Sequence, residues 1–274
     1  MILSLLLIFS LASTLTLYFV TDWYQSISDI WMFPVLFIVS FIVGIILVLL
    51  YIYILSLFVN KNKECNKPKK LYLRIVLRVC ELILMVSRTR LYVRGIENLP
   101  TDQKFLLVTN HQSWFDAIVC AWTLRAHNVS FVLKDSLSKI FVLGKYLHAC
   151  SYISINRSNP REGVKAINKS VDKIVNDEAS IVIFPEGTRS GGYEIGEFHN
   201  GSFKIGTKAK CPIVVCCLQN SFKAPKRAPF KATDVYFDVI DIIGYEEYKE
   251  KTTQEISDYC HKLIKENADK LPKY

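Results

Sequence analysis

Hydrophobic residues fill two long stretches at the start of the chain. Residues 1–20 carry no charged side chain, and as a helix they would be about 30 Å long, which matches the hydrocarbon core of a bilayer. Residues 33–59 form a second uncharged stretch that is long enough to cross a bilayer with some tilt. Between the two lies a short polar segment with aromatic residues, which is typical of a membrane interface. This pattern predicts a transmembrane helical hairpin over residues 1–60.

Beyond residue 90, short apolar runs alternate with segments of helical periodicity. The short runs predict strands at 91–93, 105–108, 130–133, 152–155, 181–184, 213–218 and 235–240. Helical spacing predicts helices at 138–147, 160–176, 203–210 and 252–268. Strands that alternate with helices are typical of an α/β fold with a mostly parallel sheet flanked by helices. We therefore expect one such domain over residues 91–274.

Residues 61–90 connect the two parts with a polar linker and one amphipathic helix. Apolar residues recur at helical spacing over 71–86, whereas Arg74, Arg78 and Arg88 lie off that stripe. A basic amphipathic helix beside a membrane is able to lie on anionic lipid. The same pattern also fits an ordinary helix of the following domain with a solvated face.

The distribution of charge predicts the orientation of the hairpin. The net charge is +9, yet the first basic residue of the chain is Lys61, and basic residues are frequent from there to Arg94. By the positive-inside rule, residues 21–32 are outside and the domain that follows is cytoplasmic. A cleaved signal peptide fits less well, because residues 1–20 lack the positive residues such a peptide carries.

Eight cysteines and five histidines raise the question of a metal site or disulfides. The cysteines form no C-x-x-C pair, and their spacing to the histidines is not that of a zinc site. We expect reduced thiols in a cytoplasmic domain and no bound metal.

The first candidate for chemistry is the segment 110–116, Asn-His-Gln-Ser-Trp-Phe-Asp, directly after a predicted strand. His111 is suited to accept a proton near neutral pH, and Asp116 would hold its ring in one tautomer if the chain bends between them. Ser113 is a favoured helix cap and supplies such a bend. The alternative is that Asp116 only caps the next helix, since Ser113-x-x-Asp116 is also a capping-box pattern.

The second candidate is the loop after the predicted strand 181–184. Gly187 lets a ligand approach the backbone, Thr188 offers a hydroxyl, and Arg189 offers a planar fork that fits phosphate. Arg157, after another predicted strand, would add a positive charge, whereas Glu186 repels phosphate and suits a hydroxyl or an arginine instead. The alternative is a turn with a solvated arginine.

These two segments resemble the glycerolipid acyltransferases, which carry an H-x4-D signature and an F-P-E-G-T-R-S block. Residues 110–116 carry the first motif, and residues 184–190 match the second at every position. A third motif of the family, G-x-x-F-I-x-R, would end at Arg157, but here Ser151 replaces its glycine and Ser154 its phenylalanine. The resemblance is strongest to the 1-acyl-sn-glycerol-3-phosphate (lysophosphatidic acid) acyltransferases. It implies that His111 is the catalytic base and that Asp116 orients it. It also implies that five residues bind the acceptor: Arg157, Glu186, Gly187, Thr188 and Arg189.

The implied reaction needs no cofactor beyond its co-substrate. An acyl chain would pass from acyl-CoA or acyl carrier protein to the sn-2 hydroxyl of lysophosphatidic acid, with membrane lipid and no nucleic acid as partners. Three alternatives remain: a related acyltransferase acting on glycerol 3-phosphate or a lysophospholipid, a non-catalytic protein that binds anionic phospholipid, and a metal-dependent phosphatase. Against the phosphatase, the sequence lacks a cluster of carboxylate or histidine residues with the spacing of metal ligands.

Overall fold

Two long apolar helices come first in the chain and form a unit of their own, Met1–Asn62. The structure, a computed structural model, describes residues 2–20, 30–156 and 159–273. Helix α1 spans Ile2–Val20 and α2 spans Met32–Leu57, and both are long and apolar enough to cross a membrane. The predicted exterior segment 21–32 lies largely outside the described residues.

Gly44 lies where α1 and α2 pack against each other. A Cβ atom added there would lie 3.0 Å from Leu6 Cδ2, so a larger residue would force the Leu6 side chain to move. Small residues are common where apolar helices pack in lipid. Ser10, on the buried side of α1, satisfies its hydroxyl within the helix by donating to the Leu6 carbonyl at 2.7 Å.

The second unit, Lys63–Tyr274, is built on one seven-stranded sheet. Its strands are β1 Thr89–Arg94, β2 Leu106–Thr109, β3 Val129–Lys134, β4 Ile153–Ile155, β5 Ser180–Ile183, β6 Ile213–Gln219 and β7 Thr233–Ile243. The spatial order is β1-β7-β6-β2-β5-β3-β4, and all neighbours are parallel except β6 and β7. The predicted α/β fold with a mostly parallel sheet is confirmed.

Helices cover both faces of this sheet. They are α3 Lys70–Val86, α4 Phe115–Thr123, α5 Asp135–Ser138, α6 Phe141–Ala149, α7 Pro160–Val175, α8 Lys204–Ala209, α9 Ala224–Arg227, α10 Tyr245–Tyr248 and α11 Thr253–Lys270. Helices α7, α8 and α11 pack on one face, and α3 and α4 pack on the other. Because β2 is buried on both faces, its residues form a continuous apolar run, with Leu106 and Val108 in one core and Leu107 in the other.

Helix α3 is an integral part of the second unit. Cys80 and Leu84 on its apolar stripe are buried in the same core cluster as Phe115 and Val119 of α4. Of the two interpretations of this amphipathic pattern, the structure therefore supports a helix of the domain.

One predicted helix is broken in the structure. The segment 138–147 was expected to be continuous, but α5 ends at Ser138 and α6 begins at Phe141. At Gly144 an added Cβ would lie only 2.0 Å from the Ser138 carbonyl oxygen, so the two short helices meet through a glycine. Helices α9 and α10 were not predicted, because each spans only four residues.

The strand order determines where polar loops gather. Strands β6, β2 and β5 are adjacent and parallel, so their carboxyl ends lie along one edge of the sheet. In open α/β sheets this edge is where ligands bind.

Candidate active site

Three loops meet at the carboxyl edge of the sheet, and backbone hydrogen bonds fix them to each other. The loop after β5 donates from Ser190 N to the His111 carbonyl at 2.9 Å and from Gly191 N to the Gln112 carbonyl at 3.0 Å. The Asn110 side chain spans to β6, donating to the Leu218 carbonyl at 2.9 Å and accepting from its N–H at 2.8 Å. The two segments singled out from the sequence are therefore neighbours in space.

His111 and Asp116 form a hydrogen-bonded pair inside this arrangement. His111 Nδ1 lies 2.7 Å from Asp116 Oδ2, and the Asp116 side chain is fully buried. The chain bends between them at Ser113, whose backbone N–H donates to the same Oδ2 at 2.8 Å. Asp116 Oδ2 therefore contacts both the imidazole and the backbone just before α4, and the catalytic role of Asp116 stays a prediction.

The contact with Asp116 selects the useful tautomer of His111. A carboxylate accepts, so Nδ1 carries the proton and Nε2 has the free lone pair. The ring stacks on Phe184 with centroids 4.2 Å apart, which fixes its plane. In the described part of the chain Nε2 has no hydrogen-bond partner, which leaves it available to accept a proton from a substrate.

Ser221 is a member of this constellation that the sequence analysis missed. Its hydroxyl donates to Asp116 Oδ1, the carboxylate oxygen that does not contact His111. Ser221 lies two residues after β6, so a search for polar residues within a few positions of each predicted strand end would have included it among the candidates.

Backbone carbonyls near the C-terminus accept hydrogen bonds from the segment that carries Ser221. Gln219 Nε2 donates to the Ala268 carbonyl at 3.3 Å, and Asn220 Nδ2 donates to the Pro272 carbonyl at 3.1 Å. Asn220 adopts a φ of +67°, a left-handed conformation that asparagine tolerates better than most residues. The position of Ser221 therefore depends on the end of α11 as well as on β6.

Glu186 connects the loops rather than facing solvent. Its Oε1 accepts from His111 N at 2.5 Å, its Oε2 accepts from Gly196 N at 2.9 Å, and the residue is buried. Burial raises the pKa of this carboxyl to about 7, although the two backbone N–H donors work in the opposite direction. Its predicted part in acceptor binding stays a prediction.

The predicted phosphate-binding residues lie on the exposed turn that follows. Gly187 has a φ of +68°, and an added Cβ there would lie 2.8 Å from the His199 ring, so this turn requires glycine. Thr188 and Arg189 are exposed, and within the described residues the Arg189 guanidinium has no hydrogen-bonding or ionic partner. Arg157 lies outside the described residues, so its place relative to this turn stays a prediction.

Cys120 lies near this constellation, and its surroundings determine whether its thiol is reactive. Cys120, behind Asp116, is fully buried, and burial together with the nearby Asp116 charge raises the pKa of its thiol. The thiolate, which is the nucleophilic form, is therefore suppressed. Among the described residues, no group of three or more His, Cys, Asp or Glu side chains is arranged to hold a metal ion.

Part of this chain is similar to known acyltransferases. Residues 90–219, from β1 to the end of β6, match the family model described as Acyltransferase. A 1-acyl-sn-glycerol-3-phosphate acyltransferase of Borreliella burgdorferi is 29% identical, over 69% of this chain and 78% of the relative. The chloroplastic enzyme BAT2 of Brassica napus, of the same description, is 32% identical, but the match spans 48% of this chain and only 38% of the relative.

A solved structure shares the fold. The crystal structure of the 1-acyl-sn-glycerophosphate (LPA) acyltransferase PlsC from Thermotoga maritima superposes with a TM-score of 0.63, covering 97% of this chain and 98% of that one. The sequence identity is 19%, so the likeness concerns the fold. The segments that carry His111, Asp116 and Arg189 all fall within residues 90–219.

Proposed function

Because residues 90–219 match the acyltransferase family model, we propose that this chain acylates the sn-2 hydroxyl of lysophosphatidic acid and so makes phosphatidic acid. The donor is acyl-CoA or acyl carrier protein. The family match favours an enzyme over a non-catalytic lipid-binding protein, and the activity for which the relatives are named supports this acceptor.

The observation that carries the proposal is the His111–Asp116 pair with a free Nε2. In the proposed step, Nε2 removes the proton from the acceptor hydroxyl while its oxygen attacks the thioester carbonyl carbon. The carbon–sulfur bond then breaks, and the thiolate leaves with the proton that His111 has taken up. Asp116 stabilises the imidazolium between these two events.

Arg189 supports a phosphorylated acceptor. Its guanidinium is exposed and unpaired among the described residues, and the next residue, Ser190, is hydrogen-bonded to the His111 backbone. An arginine grips two oxygens of a phosphate at once. Such a grip would hold the hydroxyl of a bound lysophosphatidic acid beside Nε2, and this positioning is a large part of the rate.

The two apolar helices support a membrane location for this reaction. Their length and composition suit a bilayer, and both the acceptor and the product are lipids. By the positive-inside rule, the catalytic domain is on the cytoplasmic side.

The test is an acyl-transfer assay on the purified full chain with a panel of acceptors. We expect wild-type protein to prefer lysophosphatidic acid over lysophosphatidylcholine, and His111→Ala to lose about 10²–10⁴-fold in rate. Arg189→Lys keeps the charge but loses the fork, so the KM for the acceptor should rise about tenfold while the KM for the donor stays constant.

Arg125→Lys is the matched control, because Arg125 follows α4 at the opposite edge of the sheet. Equal rates with the two lysolipids would indicate a lysophospholipid acyltransferase, and a preference for glycerol 3-phosphate would indicate the related enzyme that acts on that acceptor. A rise in the donor KM for Arg189→Lys would assign this arginine to the donor instead.

A further inference from the structure

Phe230, on the connection between β6 and β7, is an exposed aromatic residue with no evident role in folding. Its side chain is 86% exposed. The basic residues Lys226 and Lys231 lie close to it in sequence, and both are exposed. An isolated exposed apolar residue is ordinary, but a large one between cations is typical of a membrane-contacting loop.

The end of α3 adds to the same surface. Arg88 Nη1 donates to the Phe230 carbonyl at 3.1 Å, which joins the two segments. Directly before it, Met85 and Val86 are about half exposed, at 47% and 51%. We refer to this surface as the docking patch, and it consists of Met85, Val86, Arg88, Lys226, Phe230 and Lys231.

The sheet topology puts the docking patch at the same edge as His111. Because β7 is antiparallel to β6, with Tyr236 opposite Gln219, β7 begins where β6 ends. Strand β1 is parallel to β7 and begins beside it, with Thr89 opposite Thr233. From β1 to β2 there are three strand-to-strand steps, which is about 15 Å along the edge.

The charges of the docking patch are not neutralised within the protein. In the part of the chain that the structure describes, Arg88, Lys226 and Lys231 take part in no ion pair. Arg90, which lies beside the patch, is by contrast paired with Asp234 through two hydrogen bonds. Cations around an apolar centre complement a surface of anionic headgroups over acyl chains.

We propose that the docking patch contacts an anionic bilayer, with Phe230 inserted among the headgroups and the three cations at the lipid phosphates. This contact would turn the carboxyl edge of the sheet, and with it His111, toward the membrane surface. The occupant is a lipid bilayer rather than an acidic protein, because the apolar centre is a single projecting ring with flanking aliphatic side chains and not a groove. The inference does not depend on which lipid acceptor the enzyme uses.

Insertion of residue 230 is testable without any activity measurement. The full chain carrying Phe230→Trp is reconstituted in vesicles of phosphatidylcholine and phosphatidylglycerol, with or without phosphatidylcholine brominated in its acyl chains. Val175→Trp is the matched control, since Val175 is 63% exposed at the end of α7, at the opposite edge of the sheet. Quenching is measured as the excess over that of the parent chain.

We expect brominated lipid to quench the tryptophan introduced at position 230 strongly and the one introduced at position 175 negligibly. If Phe230→Trp shows no more excess quenching than Val175→Trp, the docking patch does not enter the bilayer and the proposal is wrong. An acidic protein partner would give that result, since the vesicles contain this chain alone.

The charges are tested by the double variant Lys226→Gln, Lys231→Gln. On vesicles that contain phosphatidylglycerol, its acyl-transfer rate at low acceptor should fall about fivefold for each lysine removed, whereas its rate in neutral detergent micelles should stay constant. Lys169→Gln, Lys210→Gln, at exposed positions away from the patch, is the control. An equal loss in micelles, or an equal loss in the control, would contradict a lipid role for these lysines.

Discussion

The Asp116 carboxylate has three hydrogen-bond donors, and each comes from a different direction. His111 Nδ1 and Ser113 N share Oδ2, while the Ser221 hydroxyl donates to Oδ1. Because Ser221 follows β6 and not β2, it fixes the carboxylate relative to a second strand. Ser221 is a positioning residue, and the stiffness it gives to Asp116 passes to the imidazole.

We expect Ser221→Ala to lower kcat about tenfold and to leave both KM values unchanged, because one hydrogen bond to a charged group is lost without any contact to substrate. Steady-state kinetics in detergent micelles measure this split. Thr123→Val is the matched control, since the Thr123 hydroxyl is buried and has no partner among the described residues. If Ser221→Ala keeps the full kcat, Ser221 does not position Asp116. If its melting temperature falls together with its activity, the loss reflects stability instead.

Glu186 should make the rate unusually sensitive to acid. Its carboxylate accepts from both His111 N and Gly196 N, and burial raises its pKa to about 7. As the pH falls through this value, the carboxyl becomes protonated and one of its oxygens becomes a poorer acceptor. The loops that this carboxylate connects then loosen, and His111 is held less firmly.

Protonation of Glu186 should therefore steepen the fall of log(kcat/KM) below about pH 7 and add about one to the limiting acid slope. Glutamine does not titrate, so this added slope should be absent in Glu186→Gln. The rate at pH 8 should also fall about tenfold, because the amide nitrogen of glutamine opposes one of the two N–H donors. An unchanged slope in this variant would remove Glu186 from the pH dependence.

Among the elements, α7 is fastened to the linker before α3 by a buried lysine. Lys173 Nζ donates to the Asn66 carbonyl at 2.8 Å and to the Ser151 hydroxyl, and burial lowers its pKa. Ser151 Oγ also lies 2.6 Å from the Cys65 carbonyl. Ser151 has a φ of +63°, which explains why glycine suits this position in the related block.

Replacing Lys173 with methionine should lower the free energy of unfolding by about 1.5–3 kcal/mol, since buried acceptors lose a charged donor. Lys169→Met, on the exposed side of the same helix, should change it by less than about 0.5 kcal/mol. Thermal unfolding of the purified chain in detergent, followed by circular dichroism, compares the two. Equal melting temperatures for both variants would show that the Lys173 contacts add no net stability.

Elements defined by local pattern were predictable, whereas those that depend on distant strands were not. The strands over 105–108 and 181–184 are apolar runs buried on both faces, so composition alone located them within a residue or two. The bend that brings His111 to Asp116 followed from Ser113. Ser221 bonds to Asp116, 105 positions away, and Lys173 bonds to Asn66, 107 positions away. The place of Ser221 shortly after a strand makes it a candidate, but no local pattern encodes either pairing.

At the scale of the whole molecule, charge and hydrophobicity divide the chain into an apolar part and a basic part. The first 60 residues contain no lysine or arginine, and all 34 of them lie from Lys61 onward. This asymmetry underlies the proposed orientation, with the segment 21–32 outside the cell membrane and His111 on the cytoplasmic side.

Ser26 lies in that exterior segment, and Ser26→Cys tests its side of the membrane. We expect an impermeant thiol reagent to label this variant in intact cells, because position 26 would face the medium. The parent chain is the control: of its eight cysteines, seven are buried and Cys65 is partly buried. Labelling only after lysis would place the segment inside and invert the proposed topology.

Closure of the catalytic loops by the last helix has a consequence for biosynthesis. Gln219 and Asn220 are held by the carbonyls of Ala268 and Pro272, about 150 residues after Asp116, and a ribosome adds about 5–20 residues per second. The nascent chain therefore carries an incomplete site for on the order of ten seconds. Its apolar helices emerge before the catalytic domain, so with the proposed membrane attachment they are able to reach the bilayer before turnover begins.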